Sequence, residues 1–208
     1  MNFGNLLNQV LGAVQQKSGK GSGINSGMLS KIGGGAAAAG LAAALFKNKN
    51  TKKIATAGSM AALGALAYHA YQKYRENQNG QPLPDQSAFQ PQGQLADNTG
   101  RVVLRTMIAA AASDGLIDEA ERAVIQGESG EDAETARWIQ AEMASPATPA
   151  DIAREVGGNQ ALAAEAYLAA RMVCADLGRK EIVFLSQLSQ ALQLDEKLVE
   201  ALEQQAGF

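Results

Sequence analysis

Cysteine, histidine and aromatic side chains are scarce in this chain, and each scarcity removes a class of function. The single cysteine, Cys174, leaves no intrachain disulfide and no Cys-x-x-Cys metal knuckle. Nucleophilic catalysis needs a base within hydrogen-bonding reach of the nucleophile, and the single histidine, His69, lies in a different part of the chain from Cys174. His69 closes an apolar segment and reads as an interfacial anchor, and Cys174 reads as core packing. No Gly-x-Gly-x-x-Gly, Walker loop or His-Glu-x-x-His is present, and Gly33-Gly34-Gly35 lacks the Lys-Ser/Thr that completes a phosphate loop. These absences predict a protein that is not an enzyme and holds no organic cofactor. Aromatics are only 5% of residues, so any core is built from Leu, Ile, Val and Ala, which suits closely packed helices. The opening Met1-Asn2-Phe3-Gly4-Asn5 has no positive charge, so no secretory leader is expected.

Charge is present, but unevenly. Residues 1–80 hold nine Lys/Arg against one acid, Glu76, a net of +8; residues 81–208 hold nine against twenty, a net of −11. Such a reversal predicts two environments. The basic half suits phospholipid head groups, nucleic acid or an acidic partner. The acidic half would repel nucleic-acid phosphates, and with no clustered Arg/aromatic surface, no nucleic-acid partner is expected.

Phe3, Leu6, Leu7, Val10, Leu11 and Val14 recur at helical spacing, so residues 1–17 read as one amphipathic helix. It either docks on the rest of the protein or lies in a membrane interface; the lack of Lys on its polar face before Lys17 weighs against the second. Two small-residue apolar segments follow, 32–46 and 54–71, separated by the cations Lys47, Lys49, Lys52 and Lys53. A hydrocarbon core of about 30 Å needs roughly 20 residues of helix, which the first segment lacks and the second only approaches. The second ends on Tyr68, Tyr71 and Tyr74 with Lys73 and Arg75, an aromatic-plus-cation pattern of membrane interfaces. Small residues recur every fourth position at Ala36/Gly40/Ala44 and Ala57/Ala61/Ala65, a spacing that packs helices closely in lipid. Residues 32–76 are therefore expected to anchor in membrane lipid, as a hairpin or a single span at 54–71; the alternative is an Ala-rich hairpin packed on protein.

Residues 77–98 carry Pro82, Pro84 and Pro91 among Gln and Asn with no apolar period, and read as a disordered linker. From 99 to 206 the pattern is helical throughout, predicting an all-α bundle of about seven short helices. Val102, Val103, Met107 and Ile108 open the first, which stops at Gly115. Asp118 and Glu121 cap the second in the manner of a capping box, and Trp138, Ile139 and Met143 mark the third. Thr148 with Pro149 starts a short fourth helix. Asn159 caps a long fifth helix through Leu177 that Gly178 stops. Ile182, Phe184, Leu185, Leu188, Leu192 and Leu194 drive the sixth inward, and Asp195 caps the last.

One segment has chemical content. Asp114, Gly115, Ile117, Asp118 and Glu121 match the second half of a calcium-binding EF-hand loop, but the first and third ligand positions fall on Ala110 and Ala112. Two readings stand. In one, Gly115 stops a helix while Asp118 and Glu121 cap the next. In the other, Asp114, Asp118 and Glu121 form a weak divalent-cation site completed from elsewhere, with Asp176 and Glu181 as candidates.

The same residues carry a family resemblance. Residues 113–122, SDGLIDEAER, after the apolar LRTMIAAAA, resemble the signature of the tellurite-resistance TerB-like domain. The glycine-rich apolar segment, AYHAYQKY, the polar stretch and AYLAARMVCADLGRKEIVFLSQLSQALQL together resemble the YebE-type bacterial inner-membrane proteins, a family of unknown function. The resemblance implies an all-α fold of two helical repeats, attachment to the inner membrane with a cytoplasmic soluble domain, and an acidic metal site at Asp114, Asp118 and Glu121. It points to a membrane-anchored interaction or scaffold module, stress-related, with a protein partner, or else to a divalent-cation sensor. This chain departs from the family at its second repeat, where Asp176-Leu-Gly-Arg-Lys-Glu181 is short and Arg179 and Lys180 would repel a metal.

Overall fold

The computed structural model describes residues 2–18, 36–46, 58–76, 84–113, 115 and 133–208, which form nine α-helices, one 3-10 turn and no strand. The helices are α1 (Phe3–Ser18), α2 (Ala36–Phe46), α3 (Met60–Glu76), α4 (Gly93–Ala112), α5 (Ala133–Ala144), α6 (Pro149–Val156), α7 (Gln160–Val173), α8 (Arg179–Ala191) and α9 (Glu196–Ala206). The all-α expectation holds. The helix expected from Asp118 lies outside the described residues.

The capping residues act as their chemistry requires. Thr148 and Asp151 exchange hydrogen bonds at the start of α6, with Asp151 N–H donating to Thr148 Oγ1 at 3.2 Å and Thr148 N–H to Asp151 Oδ2 at 3.1 Å. Asn159 Oδ1 accepts from Leu162 N–H at 3.1 Å, and Asp195 Oδ1 from Lys197 N–H at 2.9 Å. Two details differ from expectation. α7 ends at Val173, and the left-handed residue of the following turn is Leu177 (φ 50°), while Gly178 (φ −58°) instead opens α8. Ile182, expected inward, points out; Phe184, Leu185 and Leu188 form the buried stripe.

α7 is the spine. Apart from Leu162, every side chain from Ala161 to Val173 is buried, and α3, α4, α6, α8 and α9 all pack on it. A helix apolar on all sides is one surrounded by protein.

The expected boundary at residue 99 is not a structural seam. α1 lays Leu6, Leu7, Val10 and Leu11 along α4, the docking alternative for that helix. Asp97 on α4 accepts the amides of Phe3 and Gly4, placing a carboxylate on the N-terminus of α1. Asn8 Oδ1 on α1 accepts the amide of Met60 at 2.8 Å and so caps α3. Phe3 meets Trp138 of α5 edge to face at 4.8 Å.

The described parts of the two apolar segments expected in lipid, residues 36–46 and 58–71, are packed on protein. α2 buries Leu41, Leu45 and Phe46 against α1, α4 and α5. At 11 residues it is about 16 Å long, half a bilayer core. α3 buries Leu63, Gly64, Ala67, Ala70 and Tyr71 against α7 and α9, and Lys73 Nζ donates to Gln204 Oε1 at 3.2 Å. Among the described residues no helix is long and apolar enough to cross a membrane. Gly64, Ala67 and Ala70 are the small residues of α3 that set its close approach to protein, whereas Ala61 of the expected every-fourth stripe is exposed and Ala65 half-buried.

Residues 84–98, expected as part of the disordered linker, are also built into the bundle. Asp85 Oδ1 accepts from Ser87 N–H at 2.8 Å and starts the 3-10 turn Gln86–Phe89, and α4 begins at Gly93. Phe89 is 1% exposed, its ring 5.5 Å from that of Tyr68 and 5.9 Å from that of Tyr71. One well-placed aromatic orders a segment that has no apolar period. Residues 77–83 of the expected linker lie outside the described residues.

Candidate functional site

Asp114, Asp118 and Glu121 lie outside the described residues. What flanks them is described. α4 runs through Ala110 and Ala112, so the first two EF-hand ligand positions carry methyl groups on a helix. Gly115 has φ +81°, and its N–H donates to Ala112 O at 3.2 Å, the geometry of a left-handed helix stop. The two residues offered to complete a cation site are placed apart in character. Asp176 is exposed, whereas Glu181 is buried and its Oε2 accepts the Gly178 amide at 2.8 Å, a cap for α8. Among the described residues no group of three His, Cys, Asp or Glu side chains is placed to hold a metal. Cys174 is buried, and its carbonyl accepts from Arg171 Nη1 at 3.0 Å. His69 is exposed, with Nδ1 3.2 Å from Gln72 Oε1.

The polar chemistry inside the bundle lies elsewhere, on α7. Arg171 is buried, with Nε 3.2 Å from Glu203 Oε1 and its guanidinium 4.0 Å from the centre of the Phe208 ring. Tyr167 donates its hydroxyl to the same Glu203 oxygen at 2.8 Å; burial first, and that carboxylate second, raise the phenol's pKa. These contacts tie α9 to the spine. A second cluster joins α4 to α5 and α6, where Arg105 Nε donates to Glu142 Oε2 at 2.9 Å and Arg105 Nη1 pairs with Glu155.

Glu165 is different because nothing among the described residues balances it. It is 1% exposed, and both carboxyl oxygens lack a hydrogen-bond partner. Burial alone pushes its pKa up to about 8. It sits where α3 crosses α7 at Gly64. A Cβ on Gly64 would lie 1.9 Å from Phe89 O and 3.2 Å from Glu165 Oε1, so only glycine admits both oxygens at this point. Phe89, Gly64 and Glu165 thus form one buried contact, roofed by residues 84–92. Next to it a cavity of about 220 Å³ is lined by Met60, Ala61, Phe89, Gln90, Pro91 and Gln92. No motif in the sequence marks this group. Its signal was a single acid, Glu165, in the middle of an Ala/Leu helix with no polar face.

Helices that meet through Gly and Ala around a buried spine, with charge admitted to the core at only a few points, define a compact all-α bundle. The chain belongs to the DUF533 family, proteins of unknown function, whose model matches residues 31–206. Neither a curated protein nor a solved structure matches the chain.

Proposed function

We propose that this chain is a non-catalytic helical module that binds another protein through the outer face of α8. The observation that supports this is the cluster at the start of that helix. Ile182 and Val183 are each 51% exposed and Leu177 is 40% exposed, with the exposed cations Arg179 and Lys180 between them. Single exposed apolar residues are ordinary; three within seven residues, rimmed by charge, have the make-up of a docking patch. The partner that suits it offers apolar side chains beside carboxylates. A photo-crosslinking residue at position 183, compared in cells with one at exposed position 200, tests this. A discrete adduct formed at 183, absent at 200 and lost on Ile182→Asp, is expected; identical adducts at both positions would sink the reading.

A second reading is attachment to the bacterial inner membrane. It is supported by Lys47, Lys49, Lys52 and Lys53 between α2 and α3, since each cation near an anionic surface contributes about 1 kcal/mol. In this reading the bundle stays folded and the basic sequence touches head groups, on the cytoplasmic side. Fractionation decides it: membrane-bound protein released by high salt is expected, and protein found only in the soluble fraction at low salt rules it out. The finer kinship with TerB-like domains, and the cation site it implies, rests on residues 113–122 and is open to the titration described below.

A further inference from the structure

We propose that residues 84–92 are a proton-controlled strap, held shut over Gly64 by Phe89 while the buried Glu165 carboxyl is protonated, and released when that proton leaves to water. Three observations carry this. Both Glu165 oxygens are buried without a partner, so the ionised form has neither solvent nor a donor to stabilise it. Phe89 O and Glu165 Oε1 stand beside the same point, 1.9 and 3.2 Å from where a Gly64 Cβ would lie, so the main chain of the strap abuts the carboxyl and lifting it gives water a way in. The strap itself is lightly held, by the ring of Phe89 between Tyr68 and Tyr71, the Asp85 cap and two turn hydrogen bonds, Ala88 N–H to Asp85 O at 3.0 Å and Gln90 N–H to Ser87 O at 3.1 Å. Its regular structure is only the four-residue turn Gln86–Phe89, and in the proposed opening the helices stay in place.

The charged groups on the surrounding elements are otherwise engaged. On α3, Lys73 bonds Gln204, Arg75 lies over the rings of Tyr71 and Tyr74, and His69 is exposed. On α4, Arg105 pairs with Glu142 and Glu155, Arg101 lies near Glu155, and Asp97 caps α1. Arg154 on α6 pairs with Asp151. Arg171 and Tyr167, on α7 itself, share Glu203 of α9, Glu181 caps α8, and Asp85 in the strap is exposed. None contributes to the state of Glu165, which burial alone sets.

The linkage follows from the two proton affinities. With the strap closed Glu165 titrates at about 8, and exposed by opening it returns towards its ordinary 4.5. Between these values the closed form holds one more proton than the open form, so the opening constant rises about tenfold per pH unit and levels off above pH 8.

Hydrogen exchange of the full chain, followed by mass spectrometry on peptides covering 84–92 and 102–108 from pH 5 to 9 and corrected for intrinsic exchange, tests the strap. The expected result is an opening constant for 84–92 that climbs about tenfold per pH unit up to pH 8, exceeds that of 102–108 at every pH, and is flat in Glu165→Gln. A flat wild-type profile overturns the proposal. So does an unchanged slope in Glu165→Gln, or an opening constant for 84–92 no larger than that of 102–108, which would mean that the whole bundle opens. Gly64→Ala supplies an independent arm. Its methyl meets Phe89 O, so the strap is expected to exchange freely at every pH while 102–108 stays protected; a strap that remains protected and pH-dependent in this variant equally overturns the idea.

Discussion

Gly100 on α4 touches the backbone of α1 so closely that a Cβ on it would lie 2.7 Å from the nitrogen of Gly4. The neighbouring atoms are main chain, the Gly4 nitrogen and the carbonyl of Phe3, so they yield only if α1 moves as a whole. Gly100→Ala is therefore expected to destabilise the protein by about 1–3 kcal/mol, read as a lower denaturation midpoint in urea. Because α1 also holds Asn8 on the α3 terminus, the loss should be accompanied by weaker protection of α3 amides. An unchanged midpoint would show that α1 is not docked at this crossing.

Asp97 makes the polar half of the same joint. Its carboxylate accepts the amides of Phe3 and Gly4 across the chain, beside the local cap in which Asn2 Oδ1 accepts the Asn5 amide at 2.8 Å. Asp97→Ala should cost about 1 kcal/mol, with the loss confined to α1. Limited proteolysis within residues 3–18 gives the readout, and cleavage rates equal to wild type would contradict the assignment.

Much of this bundle is legible from residue patterns, and the exceptions have physical reasons. The stripe from Leu6 to Leu11, the helix start at Thr148–Pro149 and the Asn159 and Asp195 caps are local features, so periodicity and spacing are enough to place them. Ala-rich α2 and α3 are ambiguous because small residues pack helices closely in lipid and in protein alike; the partner that decides between them, α7 or α9 for α3, is distant in sequence. Phe89 is invisible to a periodicity argument, since it is a single apolar residue that anchors its segment by fitting between two tyrosines. Glu165 is hidden for the converse reason. An acid in a helix is expected to face water, and only the packing of helices around α7 reveals that no face of it does.

Stability should fall as pH rises, with Glu165 as the source. Its folded pKa of about 8 stands above the ordinary 4.5, so the contribution is complete below pH 4.5 and is lost as pH climbs towards 8. Between pH 5 and 8 this amounts to on the order of 4 kcal/mol, at about 1.4 per unit. Glu165→Leu removes the charge and both unpartnered oxygens, and is expected to flatten that decline and to exceed wild type in stability at pH 8. Urea midpoints for both proteins at pH 5, 6.5 and 8 check this. Parallel declines in the two would assign the pH dependence to another group.

The cation reading of Asp114, Asp118 and Glu121 makes a separate demand. With alanines at the first two loop positions and Glu181 already committed to the Gly178 amide, few of the six to eight oxygens that calcium takes are on offer. Any binding should therefore be weak. Calorimetric titration with calcium, magnesium, manganese and zinc is expected to give at most millimolar affinity, abolished by Asp114→Ala. Heat that survives Asp114→Ala and disappears in Asp176→Ala would move the site to the α7–α8 turn, while no heat at millimolar metal would leave Gly115 as a helix stop and nothing more.

Removal of residues 1–98 is the sharpest test of the joined architecture. A chain starting at Thr99 keeps α5 to α9 whole and most of α4, but it loses α1, α2, α3 and the strap, which cover α4, α7 and α9. Helices α4, α7 and α9 bury Val103, Leu104, Ala164, Leu168, Ala201 and Leu202 among their apolar residues, and Glu165 loses its Gly64 neighbour. Burial of apolar surface contributes roughly 25 cal/mol per Å², and a small domain has only about 5–15 kcal/mol of net stability. The shortened chain is thus expected to lose cooperative unfolding, to bind a dye specific for exposed apolar surface, and to associate at micromolar concentration. Its sharp, reversible melting as a monomer would instead restore the boundary at residue 99 and make the N-terminal helices an appendage, free to engage a bilayer.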